Sequence, residues 1–389
     1  MGRIRRLRVE RYRSIHDQVE LIFPDASPLV LLGENNAGKS NLVRALDLLL
    51  GDSWPGSIEL GDHDFFGRER SRVPVLIRAD LQDVKYRDRS GHETPVTSLT
   101  WSYHAQDNRS FNMSLADDTE RWVNNEVRHQ CPCIVVGADR RLSYELSYAT
   151  KWTLLSKVMR SFHEALVSDE QRVGELKEQF TRTEEIFGTV EPFAIFAEEL
   201  QRQVEEMSSN LEYRLGIDFS AYDPSNFFHA LRVFPHQGGE VRTMAELGTG
   251  QEQLLALAFA HAYARAFQRV AGEFAPGLVL VIEEPEAHLH PLAQQWLAQK
   301  LKKTSQEGVQ VVVTTHSPAF VNVLDLQGLV LIRKVDEGTT AVQLSPADLA
   351  DFCRRRGGLA TPETVLPFYG ASATQELMAG MFARRIVLV

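Results

Sequence analysis

The stretch Gly33-Glu34-Asn35-Asn36-Ala37-Gly38-Lys39-Ser40 decides how this chain is read. It satisfies G-x-x-x-x-G-K-[ST], a pattern whose backbone N–H groups cradle phosphate. An apolar run, Leu29 to Leu32, precedes it, and Leu42, Val43, Leu46 and Leu49 follow at helical spacing. That strand–loop–helix setting is the context the pattern needs. Glycines let N–H groups approach an anion without a Cβ clash. The following helix adds its positive N-terminal end. In such a loop Lys39 reaches the β- and γ-phosphates and Ser40 offers a hydroxyl to Mg²⁺. ATP and Mg²⁺ are therefore the expected ligands, lined by Gly33, Asn35, Asn36, Ala37, Gly38, Lys39, Ser40 and Asn41.

The rest of the 389 residues allows two or three domains. Hydrophobic residues make up 43% and charged residues 24%, a globular composition. No apolar run approaches a membrane span, and the N-terminus, basic but without a continuous apolar core, does not read as a signal peptide. The net charge of −10 neither requires nor forbids nucleic acid, because a local basic face can act within an acidic protein. Arg3, Arg5, Arg6 and Arg8, and Arg354 to Arg356, are the basic runs that could form one; a solvated surface is the commoner meaning. Cys131, Cys133 and Cys353 lack a second C-x-C pair and read as free thiols of a cytoplasmic protein rather than a zinc site.

Along the chain, Ile4, Leu7 and Val9, then Val19, Leu21 and Phe23, predict two strands joined through Arg13-Ser14-Ile15. Residues 51–72 read as a connection. From 73 to 138 four β-like runs, VPVLIRADL, TSLTWSY, SFNMSLA and CPCIVVG, predict an antiparallel sheet beside the first strands. Between 150 and 213 the apolar period turns helical amid dense Glu, Arg and Gln. This is either an ordinary helical subdomain or an inserted dimerisation element. A strand and turn about Gly238-Gly239 follow, and later a strand, Leu329 to Lys334, with a return through Glu337-Gly338.

Two further apolar runs end in polar groups. LVLVI, 278–282, leads into Glu283-Glu284-Pro285-Glu286, and VVV, 311–313, leads into Thr314-Thr315-His316-Ser317. Buried parallel strands deliver such residues to the carboxyl edge of a sheet, where ligands bind. Glu283 is expected at the metal and Glu284 at the attacking water. His316 is expected to donate to the γ-phosphate. Leu247-Gly248-Thr249-Gly250-Gln251 opens a second helical pattern and makes a second anion site. One nucleotide does not need two such loops. A homodimer in which Gly248, Thr249, Gly250 and Gln251 cover the partner's nucleotide is the economical reading.

The order GENNAGKS, LGTGQ, LVLVIEEPEAHLHP, TTHS resembles the ATP-binding-cassette (ABC) ATPases. Within them NNAGKS with EEPEAHLHP is similar to the overcoming-lysogenisation-defect (OLD) nucleases and to RecF-type ATPases. The resemblance implies an α/β fold: an ABC-type P-loop ATPase head with a mixed or antiparallel β subdomain and an inserted helical dimerisation region. It implies boundaries at 1–149 for the first lobe, 150–213 for the insertion, 214–345 for the second lobe, and 346–389 for a linker and first strand of a Toprim nuclease domain. Arg384 to Val389, RRIVLV, resembles that strand. His316 matches the switch histidine, LGTGQ the signature loop, and Ala287-His288 the D-loop. Gln82, after VLIRADL, is the candidate for the glutamine that helps hold the metal. The implied activity is ATP hydrolysis regulating DNA cleavage by an attached nuclease. A RecF-type DNA-loading ATPase, a transporter subunit and a non-catalytic ATP-binding scaffold remain as alternatives.

Overall fold

In the computed structural model the chain divides into two compact units, Met1–Arg140 with Gly248–Val389, and Arg141–Leu247. The structure describes residues 2–137 apart from 52, 69–72 and 105–108; 166–189, with scattered positions between 191 and 262; and 277–365 apart from 288, 337, 356 and 360.

Two six-stranded sheets build the first unit. One is antiparallel, in the order β2-β1-β4-β5-β6-β7. It comprises β1 (Arg3–Glu10), β2 (Val19–Ile22), β4 (Val75–Arg87), β5 (Glu93–Tyr103), β6 (Arg109–Leu115) and β7 (Glu120–Trp122). Alternation makes it one-faced: Val75, Ile77, Ala79 and Leu81 of β4 are buried while their neighbours are partly exposed. In β1 the alternation slips between Ile4 and Leu7, because a bulge shifts the register between Ile4 and Arg6.

The second sheet has the order β14-β13-β3-β12-β11-β8. Its strands are β3 (Leu29–Leu32), β8 (Cys133–Val136), β11 (Val279–Glu283), β12 (Gln310–Thr315), β13 (Leu329–Val335) and β14 (Gly338–Gln343). Only β14 runs antiparallel, against β13. β3 and β12 are buried along their whole length, and β11 as far as Ile282, which is why they read as unbroken apolar runs. The CPCIVVG run does not join the antiparallel sheet; β8 pairs in parallel with β11. An apolar run of four residues carries no record of strand direction.

Helix α1 (Lys39–Leu50) touches β1 and β4 of one sheet and β8 of the other. Its Leu42, Leu46 and Leu49 share one buried cluster with Trp101 of β5 and Val281 of β11. Each such leucine contributes about 1.5–3 kcal/mol by leaving water. Buried Arg128, at the end of a short helix α2 (Asn125–Arg128), donates to the carbonyls of Leu49 (3.3 Å), Gly51 and Ser53 (2.9 Å), satisfying the end of α1.

Three glutamines stitch strands to neighbouring segments. Gln310 at the start of β12 accepts from Ile4 N and donates to Ile4 O, both at 2.8 Å. Gln343 at the end of β14 does the same for Ile22 of β2, at 2.9 and 2.7 Å. Gln130, just before β8, does so for Lys85 of β4, at 2.9 and 2.7 Å. A carboxamide offers one donor and one acceptor, so it imitates a strand neighbour.

Cys131 and Cys133 are buried and form no disulfide, and burial pushes the Cys131 thiol up to about 12. Among the described residues no helix is long and apolar enough to cross a membrane. The second unit holds helix α3 (Glu170–Gly188) and a two-stranded antiparallel hairpin, β9 (His236–Gln237) with β10 (Glu240–Val241). Residues 138–165 and most of 190–276, including much of the expected helical insertion, lie outside the described residues.

Candidate nucleotide site

The carboxyl ends of β3, β11 and β12 meet at one edge of the parallel sheet. After β3 the chain turns sharply through Gly33 to Gly38 and enters α1. Both glycines are required by close approach. A Cβ on Gly33 would lie 2.3 Å from the Ile332 carbonyl oxygen, and one on Gly38 would lie 2.1 Å from Thr339 Oγ1. Gly38 also has φ +108 and Asn36 φ +64, the left-handed region. A relay of hydrogen bonds backs the loop: Asn41 Nδ2 to Ser14 Oγ (2.7 Å), Ser14 Oγ to Thr339 Oγ1 (2.7 Å), and Thr339 Oγ1 to the Ala37 carbonyl (2.9 Å).

Lys39, 6% exposed, points its Nζ at the Gly33 carbonyl (2.9 Å), the Glu34 carbonyl (3.0 Å) and His316 Nε2 (2.8 Å). An ammonium only donates, so Nε2 accepts and the imidazole proton sits on Nδ1. Burial lowers the Lys39 pKa, opposed by the charges of Glu284, Glu286 and Glu283. Burial and the neighbouring Lys39 lower that of His316, opposed by Glu284 and Glu286. His316 Nε2 lies 3.9 Å from Glu284 Oε1.

Glu283 is the last residue of β11, and Glu284 begins the turn with φ +46. A non-glycine residue in that region is strained, and the strain aims a side chain out of the strand line. Its N–H donates to the Thr314 carbonyl at 2.8 Å, which locks the turn to β12. Lys39, Glu284 and His316, three positions far apart in sequence, therefore converge.

The donors suit a nucleotide with its cation. The loop has no room for side chains at Gly33 and Gly38, while Asn35, Asn36 and Ser40 are exposed and Asn41 is half-buried. Among the described residues no group of three or more His, Cys, Asp or Glu side chains could hold a metal alone. Ser40 and Glu283 would hold a hard cation only together with phosphate oxygens, and a shared site of that kind would need no such group.

Gln82 does not belong to this site. It lies on β4 opposite Arg3, and its Oε1 accepts from Arg5 Nε. The neighbouring Ile4 is tied to Gln310, at the start of β12, whereas the site is at that strand's other end. The N-terminal arginines are also engaged: Arg5 with Asp25, Arg6 with Glu20 (3.3 Å), and Arg8 with Glu20 (2.9 Å) and Asp80 (3.1 Å). They form mixed-sign pairs, not an uncompensated basic stripe. Arg354 pairs with Asp351. Gly248, Thr249 and Gly250 of the expected signature loop lie outside the described residues, as do His288, Arg356 and Arg384 to Val389; Gln251 is exposed. Sequence reasoning passed over Ser14, Thr339, Glu286 and Gln294. Glu286 stood beside the assigned carboxylates without a role; the others carried no local signal.

A model of the family described as "AAA domain, putative AbiEii toxin, Type IV TA system" matches residues 29–322, from β3 past His316. The chain belongs to this family. This AAA-domain chain is similar to the OLD nuclease of Thermus scotoductus, 24% identical over 350 residues, 85% of this chain and 62% of the relative. A shorter similarity links it to the Old nuclease of Escherichia phage P2, 26% over 113 residues, 28% of this chain and 19% of that one. The chain thus spans less than two thirds of the curated relatives it matches. Among solved structures, Stu0660 of Streptococcus thermophilus superposes with a TM-score of 0.54 at 10% identity, covering 99% of this chain and 96% of that one. The Smc head domain from Pyrococcus furiosus, crystallised with an extended coiled coil and the C-terminal domain of ScpA, gives 0.50 at 14% identity, covering 92% and 100%. The AAA-domain protein therefore has the P-loop ATPase fold of Smc heads and resembles the ATPase region of OLD nucleases.

Proposed function

We propose that this AAA-domain protein hydrolyses ATP between two copies of itself. The observation that carries the reading is the convergence of Lys39, Glu284 and His316 at the carboxyl edge of β3, β11 and β12. Lys39, with Gly33 to Asn41, holds the phosphates. Glu284 orients the attacking water and accepts its proton. His316 contacts the terminal phosphate. Ser40 and Glu283 would hold Mg²⁺, which would supply neutralisation of phosphate charge. Gly248 to Gln251 of a second copy cover the same nucleotide. The unit Met1–Arg140 with Gly248–Val389 forms the head, and Arg141–Leu247, wider than the expected 150–213, the insertion; the stretch from 346 on leads to a Toprim domain. Nucleotide-driven engagement of two heads then governs DNA processing in a longer protein, by analogy with the nuclease named in the Thermus relative.

The test is phosphate release by the parent protein, Lys39→Ala and Glu284→Gln. The parent is expected to exceed both by about 10²–10⁴-fold. Glu284→Gln retains binding of a fluorescent ATP analogue, and Lys39→Ala loses it. A parent no faster than Lys39→Ala, with binding intact, leaves a non-catalytic scaffold as the answer.

A further inference from the structure

The ladder between β11 and β12 ends irregularly. Glu284 N donates to the Thr314 carbonyl at 2.8 Å. In a continuing parallel pair the next bond runs from His316 N to the Glu284 carbonyl. Here Glu284 has turned into the left-handed region, and its carbonyl accepts from Ala287 N at 3.0 Å. Glu286 Oε1 supplies the missing acceptor, 2.6 Å from His316 N. A carboxylate thus stands in for main chain at the point where the histidine is presented. A second tie lies beside it. Ser317 Oγ donates to Gln294 Oε1 at 2.6 Å, and Gln294 Nε2, on helix α4 (Pro291–Gln306), donates to the Leu289 carbonyl at 2.8 Å. Glu286 Oε2 is buried without a hydrogen-bond partner among the described residues. A buried carboxylate oxygen left unpaired works against folding and calls for an explanation.

We propose that Glu286 is a positioning residue for His316. By holding the His316 main chain, it keeps Nε2 within reach of both Lys39 Nζ and the Glu284 carboxylate; Gln294 anchors the following residue. The inference rests on the ATPase reading of the same site, and it also predicts a property that does not need turnover. Lys39 can donate to Nε2 only when the ring proton is on Nδ1. A displaced loop frees the imidazole to sample both tautomers.

The test compares Glu286→Gln, which keeps an oxygen acceptor, with Glu286→Leu, which has none. Two readouts are taken: kcat and KM for ATP, and the ring ¹⁵N signals of histidine-labelled protein, with His316 assigned through His316→Gln. Glu286→Leu is expected to lower kcat about 10–100-fold while KM stays within about twofold, as for a misplaced catalytic group. Its His316 signals move from the Nδ1–H pattern to a tautomer mixture. Glu286→Gln restores kcat to within about threefold and restores the Nδ1–H pattern. Thermal unfolding verifies that each variant folds, and Gln294→Leu replaces Glu286→Leu if the latter does not. A parental His316 spectrum in Glu286→Leu, or in its replacement, overturns the proposal. So does Glu286→Gln behaving like Glu286→Leu. A parent that hydrolyses no ATP sinks the ATPase reading alone, because the tautomer comparison still decides the positioning role.

Discussion

Lys39 spends its three N–H donors on two carbonyls and one imidazole, all inside its own loop and one neighbouring strand end. The ring it contacts is held neutral. Burial and Lys39 lower the His316 pKa, so near neutrality and below the unfolded chain binds more protons at this position than the folded one. Stability from this residue therefore falls as pH drops through the unfolded value of about 6.5. His316→Gln is expected to flatten the slope of urea-unfolding free energy between about pH 7 and 5. An unchanged slope removes His316 from the titration. Gly38 is constrained doubly, by φ +108 and by Thr339 Oγ1. Gly38→Ala is expected to lose about 1–3 kcal/mol in urea unfolding and to lose binding of an ATP analogue. The placement of Lys39 and Gly38 was legible in sequence because it follows from a contiguous motif between a strand and a helix. Glu286 was not, since its role depends on Glu284 turning back and removing a carbonyl from the ladder.

The hairpin of β13 and β14 supports the phosphate loop from outside it. Thr339, 3% exposed, passes a hydrogen bond from Ser14 to the Ala37 carbonyl. Thr339→Val keeps the shape and removes the hydroxyl. It is expected to destabilise by about 1–3 kcal/mol and to weaken nucleotide binding, while Thr339→Ser restores both. Isothermal titration beside thermal unfolding measures the two effects. Equal binding by Thr339→Val would show the relay to be scaffolding only. The elements themselves were largely readable. β3, β11 and β12 announce themselves as unbroken apolar runs, and β4 as an alternating one. The reading failed for β8 because direction and sheet membership are set by which strand lies alongside, here β11, some 140 residues later. Gln82 failed for a related reason: β4 carries it to the end of the sheet occupied by Arg3 and Arg5.

The two sheets share one apolar cluster, but their register to each other depends on polar ties. Gln310→Leu keeps the volume and leaves the buried N–H and C=O of Ile4 without that partner. It is expected to lower stability by about 2–5 kcal/mol, with amide exchange accelerated at Ile4. Gln343→Leu, at an exposed joint, is expected to change stability by less than about 1 kcal/mol. Similar losses for both would mean that burial does not decide the strength of these joints. The divided-site reading has its own measurement: Glu284→Gln with ATP and Mg²⁺ is expected to elute at twice the mass of the nucleotide-free protein by light scattering. β12 is pinned at its base by Gln310 and at its tip by Glu286. About 20 Å of fully buried strand lies between the two pins. One straight buried strand therefore joins the first strand of the chain to the imidazole beside Lys39, with a side-chain clasp at each end.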